Sequence, residues 1–208
     1  MTSKFIVFEG IDGAGKTTQI GLLAEKLRAK GIDPYVTAEP TGMDTGRAIR
    51  RVLSGAVPKT PTQVAAMFVQ DRIDHNVDPE QGIEAMLAQG KAVICDRYYY
   101  SSLAYQGSLT DFDWVMAANC DCPEIRHPDL CIFLDLSPEE SMKRITRDRT
   151  STEIYEKADS LAKFRARYLD VFQKLSARGE RIEIIDASGT VEQNAAAIDA
   201  VIQKHFGI

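Results

Sequence analysis

Residues 4–20 read K-F-I-V-F-E-G-I-D-G-A-G-K-T-T-Q-I. An apolar run, Phe5 to Phe8, stops at Glu9. Gly10, four further residues, Gly15, Lys16 and Thr17 follow, and beyond Thr18 the apolar positions Ile20, Leu23, Ala24 and Leu27 take helical spacing. The pattern is strand, glycine-rich loop, helix, with G-x-x-x-x-G-K-[ST] in the loop, which is the phosphate-binding P-loop in its proper context. Glycines let backbone N–H groups close around phosphate oxygens, and the helix N-terminus adds its positive dipole end. Gly10, Ile11, Asp12, Gly13, Ala14, Gly15, Lys16, Thr17 and Thr18 are therefore the expected donor-phosphate site. Lys16 is expected to reach the β- and γ-phosphates and Thr17 to bind Mg²⁺.

A chain of 208 residues suits one large domain better than two. Its 25 basic and 30 acidic residues leave a formal charge of −5, which argues against a protein held to nucleic acid by bulk charge. A phosphate ligand would need a local cluster of arginines instead. No run of 18 apolar residues exists, and Phe5–Phe8 is too short for a signal peptide, so no membrane span and a cytoplasmic location are expected. Cys95 and Cys131 sit in apolar runs and read as small core residues, and Cys120-Asp-Cys122 lacks the usual zinc spacing.

Along the chain, strands alternate with helices. Strands are expected at Pro34–Ala38, Lys91–Asp96, Leu130–Leu136 and Arg181–Asp186. Helices are expected from Lys16 to about Lys30, from near Thr45, from Thr62, over Pro79–Gln89, around Leu103–Tyr105, over Asp111–Cys120 and Glu139–Arg147, over Tyr155–Ala177 and over Val191–His205. Such alternation means an α/β sandwich around a parallel sheet, with ligands at the carboxyl ends of its strands. Those ends carry Glu9, Glu39, Asp96 and Asp186.

A P-loop specifies binding of a nucleoside triphosphate, not the reaction. A guanine-specific switch would show N-K-x-D, which is absent, and a motor would be larger. A small-molecule kinase needs a second pocket whose arginines hold an acceptor phosphate, and Arg50, Arg72, Arg97 and the pair Arg147/Arg149 are candidates. Asp96 stands where a carboxylate on the metal side belongs, although an acid there could also cap a turn. Arg97 follows it over the same crevice or forms a surface salt bridge.

Four segments resemble the thymidylate kinase family: F-E-G-I-D-G-A-G-K-T-T-Q; D-R-Y with S-S-L-A-Y-Q-G at 101–107; M-F-V-Q-D-R-I-D-H at 67–75; and H-P-D-L-C-I-F-L-D-L-S-P-E-E. They span nearly the whole chain in the family's order. The resemblance implies a three-layer P-loop kinase fold over residues 1–208, with a five-stranded parallel sheet and a short lid at about 147–155. It also implies a homodimer and transfer of the γ-phosphoryl group of ATP to dTMP with Mg²⁺. By matched position, Phe68 would stack on thymine, Arg72 would hydrogen-bond the base, and Arg97 with Arg50 would hold the acceptor phosphate. Asp12 would face the acceptor sugar, with Glu39, Pro40, Ser101, Tyr105 and Gln106 lining the pocket. By spacing alone, Phe68 reads rather as an ordinary core residue, and Tyr105 reads equally as core.

Some family members place an arginine in the P-loop after the acidic residue, where this chain has Gly13. Transition-state charge is then expected from Arg147 and Arg149, in a stretch that otherwise reads as a solvated basic turn. Two more arginines common in relatives are replaced by Ala38 and Ile154. Two rival readings follow. One is a deoxynucleoside kinase with Glu39 as base. The other is a nucleotide-binding protein that has lost the reaction.

Overall fold

The first strand, β1 (Phe5–Glu9), is buried on both faces, as its unbroken apolar run requires. In the computed structural model, which describes residues 3–148 and 158–208, it is the centre of a five-stranded parallel sheet. Its neighbours are β2 (Pro34–Ala38), β3 (Ala92–Asp96), β4 (Leu130–Asp135) and β5 (Ile182–Asp186), in the order β2-β3-β1-β4-β5. Register is direct: Phe8 pairs with Asp96 on one side and Ile132 on the other.

The period of two divides β1 between two cores. Phe5 and Val7 join Val93, Cys95, Cys131 and Phe133 on one face, beneath α5 (Tyr99–Tyr105) and α8 (Ala158–Ala177). Ile6 and Phe8 join Ile94, Ile132 and Leu134 on the other, beneath α1 (Lys16–Ala29) and α9 (Val191–Phe206). Helices on both faces of one sheet give the expected three layers. The edge strands are half-covered, so Val36 and Ile184 are exposed.

The remaining helices are α2 (Asp44–Leu53), α3 (Pro61–Val77), α4 (Ile83–Ala88), α6 (Phe112–Cys120) and α7 (Pro138–Asp148). Local chemistry sets their starts. Thr60 and Thr190 form capping boxes with Gln63 and Gln193. Ser137 Oγ accepts the Glu140 N–H at the head of α7.

The helix expected over Pro79–Gln89 is shorter, because the Asp78 carboxylate accepts the N–H groups of Glu80 and Gln81 at 3.0 and 2.8 Å and holds a turn there. Of the helix expected over Tyr155–Ala177, residues 158–177 are α8 and 155–157 lie outside the described residues. All four cysteines are free thiols, and burial pushes Cys120 up to about 12.

Candidate active site

The loop from Gly10 to Lys16 closes through the left-handed backbone at Gly13 and Gly15, φ 78° and 91°. Helix α7 lies directly over it. Ser141 Oγ donates to the Asp12 carbonyl, and a Cβ added at Gly13 would meet the Ser141 carbonyl at 3.0 Å. Any larger residue at position 13 would therefore be strained in its backbone and crowded by α7. Lys16 is nearly buried, with Nζ donating to the Gly10 carbonyl at 3.1 Å and 4.0 Å from Asp96 Oδ1. Burial lowers its pKa, and Arg97 adds to that.

Two clefts meet above the strand ends. The larger, of about 960 Å³, is bounded by Asp12 to Gln19, by Asp96, and by Gly189, Thr190, Val191 and Asn194 at the head of α9. Gly10 and Ile11, expected with the donor site, lie beneath it, and Gly10 serves through its carbonyl. The smaller pocket, of about 150 Å³, is lined by Asp12, Glu39, Pro40, Phe68, Arg72, Arg97, Ser101, Tyr105 and Gln106. Those residues lie far apart in sequence and the sheet brings them together. Phe68, half-buried on α3, faces this pocket and not the core. Arg50 lies on the larger cleft, its guanidinium donating to the carbonyls of Pro40 and Thr41.

The clefts join at an ion pair between Arg97 and Asp12. Arg97 is the only non-glycine residue with positive φ, 69°, among those described. Such a backbone is uncommon and is held by its surroundings. Its Nη1 donates to Ser101 Oγ at 3.2 Å and Tyr168 OH at 3.1 Å, and the guanidinium lies 5.6 Å from the Tyr105 ring centre.

Arg72 forms the back wall of the pocket and is almost wholly buried. Its Nε donates to Glu39 Oε2 at 2.8 Å, while Nη1 and Nη2 reach Asn119 Oδ1 and Ser102 Oγ. Glu39 Oε1 is 2.9 Å from His75 Nδ1, so both its oxygens are engaged. The Glu39–Pro40 peptide bond is cis.

Among the described residues no group of three or more acids, histidines or cysteines could hold a metal alone. Asp96 Oδ1, however, is a buried oxygen with no hydrogen-bond partner, and Thr17 borders the same cleft. One carboxylate and one hydroxyl, completed by substrate phosphates and water, is a set that suits Mg²⁺.

Arg149 lies outside the described residues, as do the Arg147 side chain and most of the stretch read as a lid. Sequence reasoning missed Leu53 and Tyr98 in the small pocket and Arg144 on the larger cleft. Arg144 reaches the Ala187 carbonyl at 3.0 Å, and its place one turn before Arg147 was the available signal. Asn119 and Tyr168 carried none, because their partners are distant in sequence.

The family model described as thymidylate kinase matches residues 8–198. A probable thymidylate kinase of Pyrococcus horikoshii is 38% identical, over 99% of this chain and 98% of its own length. One of Thermococcus onnurineus is 40% identical over 97% and 98%. A thymidylate kinase of Desulfotalea psychrophila is 40% identical over 77% of each chain. With the P-loop, the arginine-lined second pocket and these matches all pointing one way, this chain belongs to the thymidylate kinase family.

Proposed function

We propose that this chain transfers the γ-phosphoryl group of ATP to dTMP, giving dTDP and ADP, with residues 1–208 as one catalytic domain. The observation that carries this reading is the Arg97–Asp12 pair at the junction of the P-loop cleft and a small pocket walled by Phe68, Tyr105 and Arg72. The donor's phosphates lie on the loop, with Lys16 against their β- and γ-oxygens. The acceptor's thymine lies against Phe68, where a base–aromatic stack is worth roughly 1–3 kcal/mol, and within reach of Arg72. Its phosphate meets Arg97, its sugar faces Asp12, and Tyr105 crowds a ribose 2′-hydroxyl. Arg50 meets the acceptor phosphate by exchanging its bonds to Pro40 and Thr41.

Thr17 and Asp96 would hold a Mg²⁺ ion, which would supply charge neutralisation to the donor's phosphates. The chain's own part is to align donor and acceptor and exclude water. An arginine at position 13 would be strained at φ 78° and crowded by the Ser141 carbonyl, which supports assigning the remaining positive charge to Arg147 and Arg149.

The deoxynucleoside kinase reading needs Glu39 as a free base, and its engagement by Arg72 and His75 weighs against that. Coupled ADP-release assays separate the readings. We expect turnover with dTMP, weaker turnover with dUMP by about 5–150-fold, since one methyl is worth roughly 1–3 kcal/mol, and none with thymidine. Turnover of thymidine but not dTMP would overturn the proposal.

Among the described residues no helix is long and apolar enough to cross a membrane. A cytoplasmic homodimer that binds no nucleic acid remains part of the proposal. A monomeric mass by sedimentation would remove the dimer from it.

A further inference from the structure

Beneath the junction of the two clefts lies Glu9, a carboxylate fully buried at the end of β1 and one residue before the loop. The site described so far does not use it. Oε1 accepts the N–H groups of Tyr98 and Ser101, at 2.8 and 3.2 Å. Oε2 accepts two hydroxyl protons, from Ser101 Oγ at 2.7 Å and Tyr168 OH at 2.9 Å. Each hydroxyl has one proton to give. If both go to Glu9, the two hydroxyl oxygens, 2.8 Å apart, are left as acceptors only; otherwise one of them donates to the other. In either case Arg97 Nη1 donates to both oxygens, at 3.2 and 3.1 Å. Asp12 takes Nη2, and Tyr105 is a further hydrogen-bond partner of Arg97, so the guanidinium is held from several sides.

We propose that Glu9 is a positioning residue. Through the hydroxyls of Ser101 and Tyr168 it fixes the guanidinium of Arg97, and so ties the strand that carries the donor loop to the group that receives the acceptor's phosphate. The inference rests on the proposed role of Arg97.

Its consequence differs from that of an ordinary buried contact. Burial raises the Glu9 pKa, against the pull of Arg97 and its hydrogen bonds. An acid raised in this way stabilises the fold while protonated, and that contribution is lost as pH rises through its folded pKa. Ionising this side chain therefore costs the fold stability, and the carboxylate is not kept for that purpose. Glu9→Gln keeps the shape but puts an N–H₂ donor where Oε2 or Oε1 stood, which reverses the polarity around Arg97.

The test is a double-mutant cycle of Glu9→Gln with Arg97→Lys, with Tyr168→Phe as a second variant that keeps the ring packing against Phe133 and Phe172. Glu9→Gln is expected to lower kcat/KM for dTMP about 10-fold, as the loss of hydrogen bonds to a charged group does. KM for ATP should stay within about twofold and Tm should be unchanged or raised. In the Arg97→Lys background the same change should cost less than about twofold, since residues acting as one unit are not additive. Tyr168→Phe should act in the same direction, and it decides the matter alone if Glu9→Gln does not fold. If Arg97→Lys impairs dTMP use while Glu9→Gln and Tyr168→Phe do not, or if the effects add, the inference fails and the role of Arg97 stands. If Arg97→Lys leaves dTMP use unchanged, both fail.

Discussion

Replacing Lys16 by alanine is expected to lower kcat for dTDP formation by about 10³ or more, while the protein remains folded. The argument is electrostatic. Among the described residues Lys16 is the one lysine lining the P-loop cleft, and its ammonium is held in place by the Gly10 carbonyl and faced by Asp96 at 4.0 Å. Charge preorganised at a buried site needs no solvent rearrangement when the phosphoryl group moves, and removing one such donor typically costs about 10²–10³ in rate. In the proposed complex Lys16 would also meet the transferring group's own oxygens, which places the expected loss at the upper end of that range. Stability should change little. Burial already disfavours the charged ammonium, as its lowered pKa indicates, so its removal also removes that penalty. The lost bond to the Gly10 carbonyl is worth roughly 1 kcal/mol. Circular dichroism melts together with dTMP titration by calorimetry would check this. Retention of kcat within about tenfold would mean that Lys16 does not carry phosphoryl charge.

Much of this architecture is written locally, and for that reason it was readable. Phe5–Phe8 is apolar on both alternating faces, so it had to be a strand covered on both sides, and Gly15-Lys16-Thr17 starts a helix by its own geometry. Residues whose roles come from distant partners were not readable in the same way. Glu9 was visible as an acid at a strand end, yet its role depends on Tyr168, 159 positions away. The same holds for Asn119, which meets Arg72 across 47 positions. The error over Pro79–Gln89 is of a third kind: helical spacing was present, but one aspartate side chain took the N–H groups that a first turn needs. Arg50 illustrates a limit of analogy, because a matched position gives the residue and not where its guanidinium rests when no ligand competes with Pro40 and Thr41.

Arg72→Ala is expected to produce the largest loss of stability of any single change in the pocket. The side chain is 1% exposed and faces a Glu39 carboxylate that is 2% exposed. A buried pair of this kind contributes little net stability when intact, because desolvation offsets attraction. Breaking it is another matter: the acid left behind is not solvated and keeps only His75 as a partner, and the cost is about 3–5 kcal/mol. Asn119 Oδ1 and Ser102 Oγ lose the same donor, which adds to the penalty. For a chain of this size roughly 2–4 °C of Tm accompanies each kcal/mol, so a fall on the order of 10 °C is expected. Lysine should not rescue it, since one ammonium cannot match a fork that serves three partners. Neutralising the stranded acid should: Arg72→Ala combined with Glu39→Gln is expected to recover part of the loss, which a simple packing defect would not. A melt of the four proteins with and without dTMP reads both roles of Arg72 at once. If the single variant loses Tm but gains as much from dTMP as wild type, the arginine supports the wall without touching the base. If Tm does not fall, the Glu39 charge is being satisfied by His75, which is 2.9 Å away on its other oxygen.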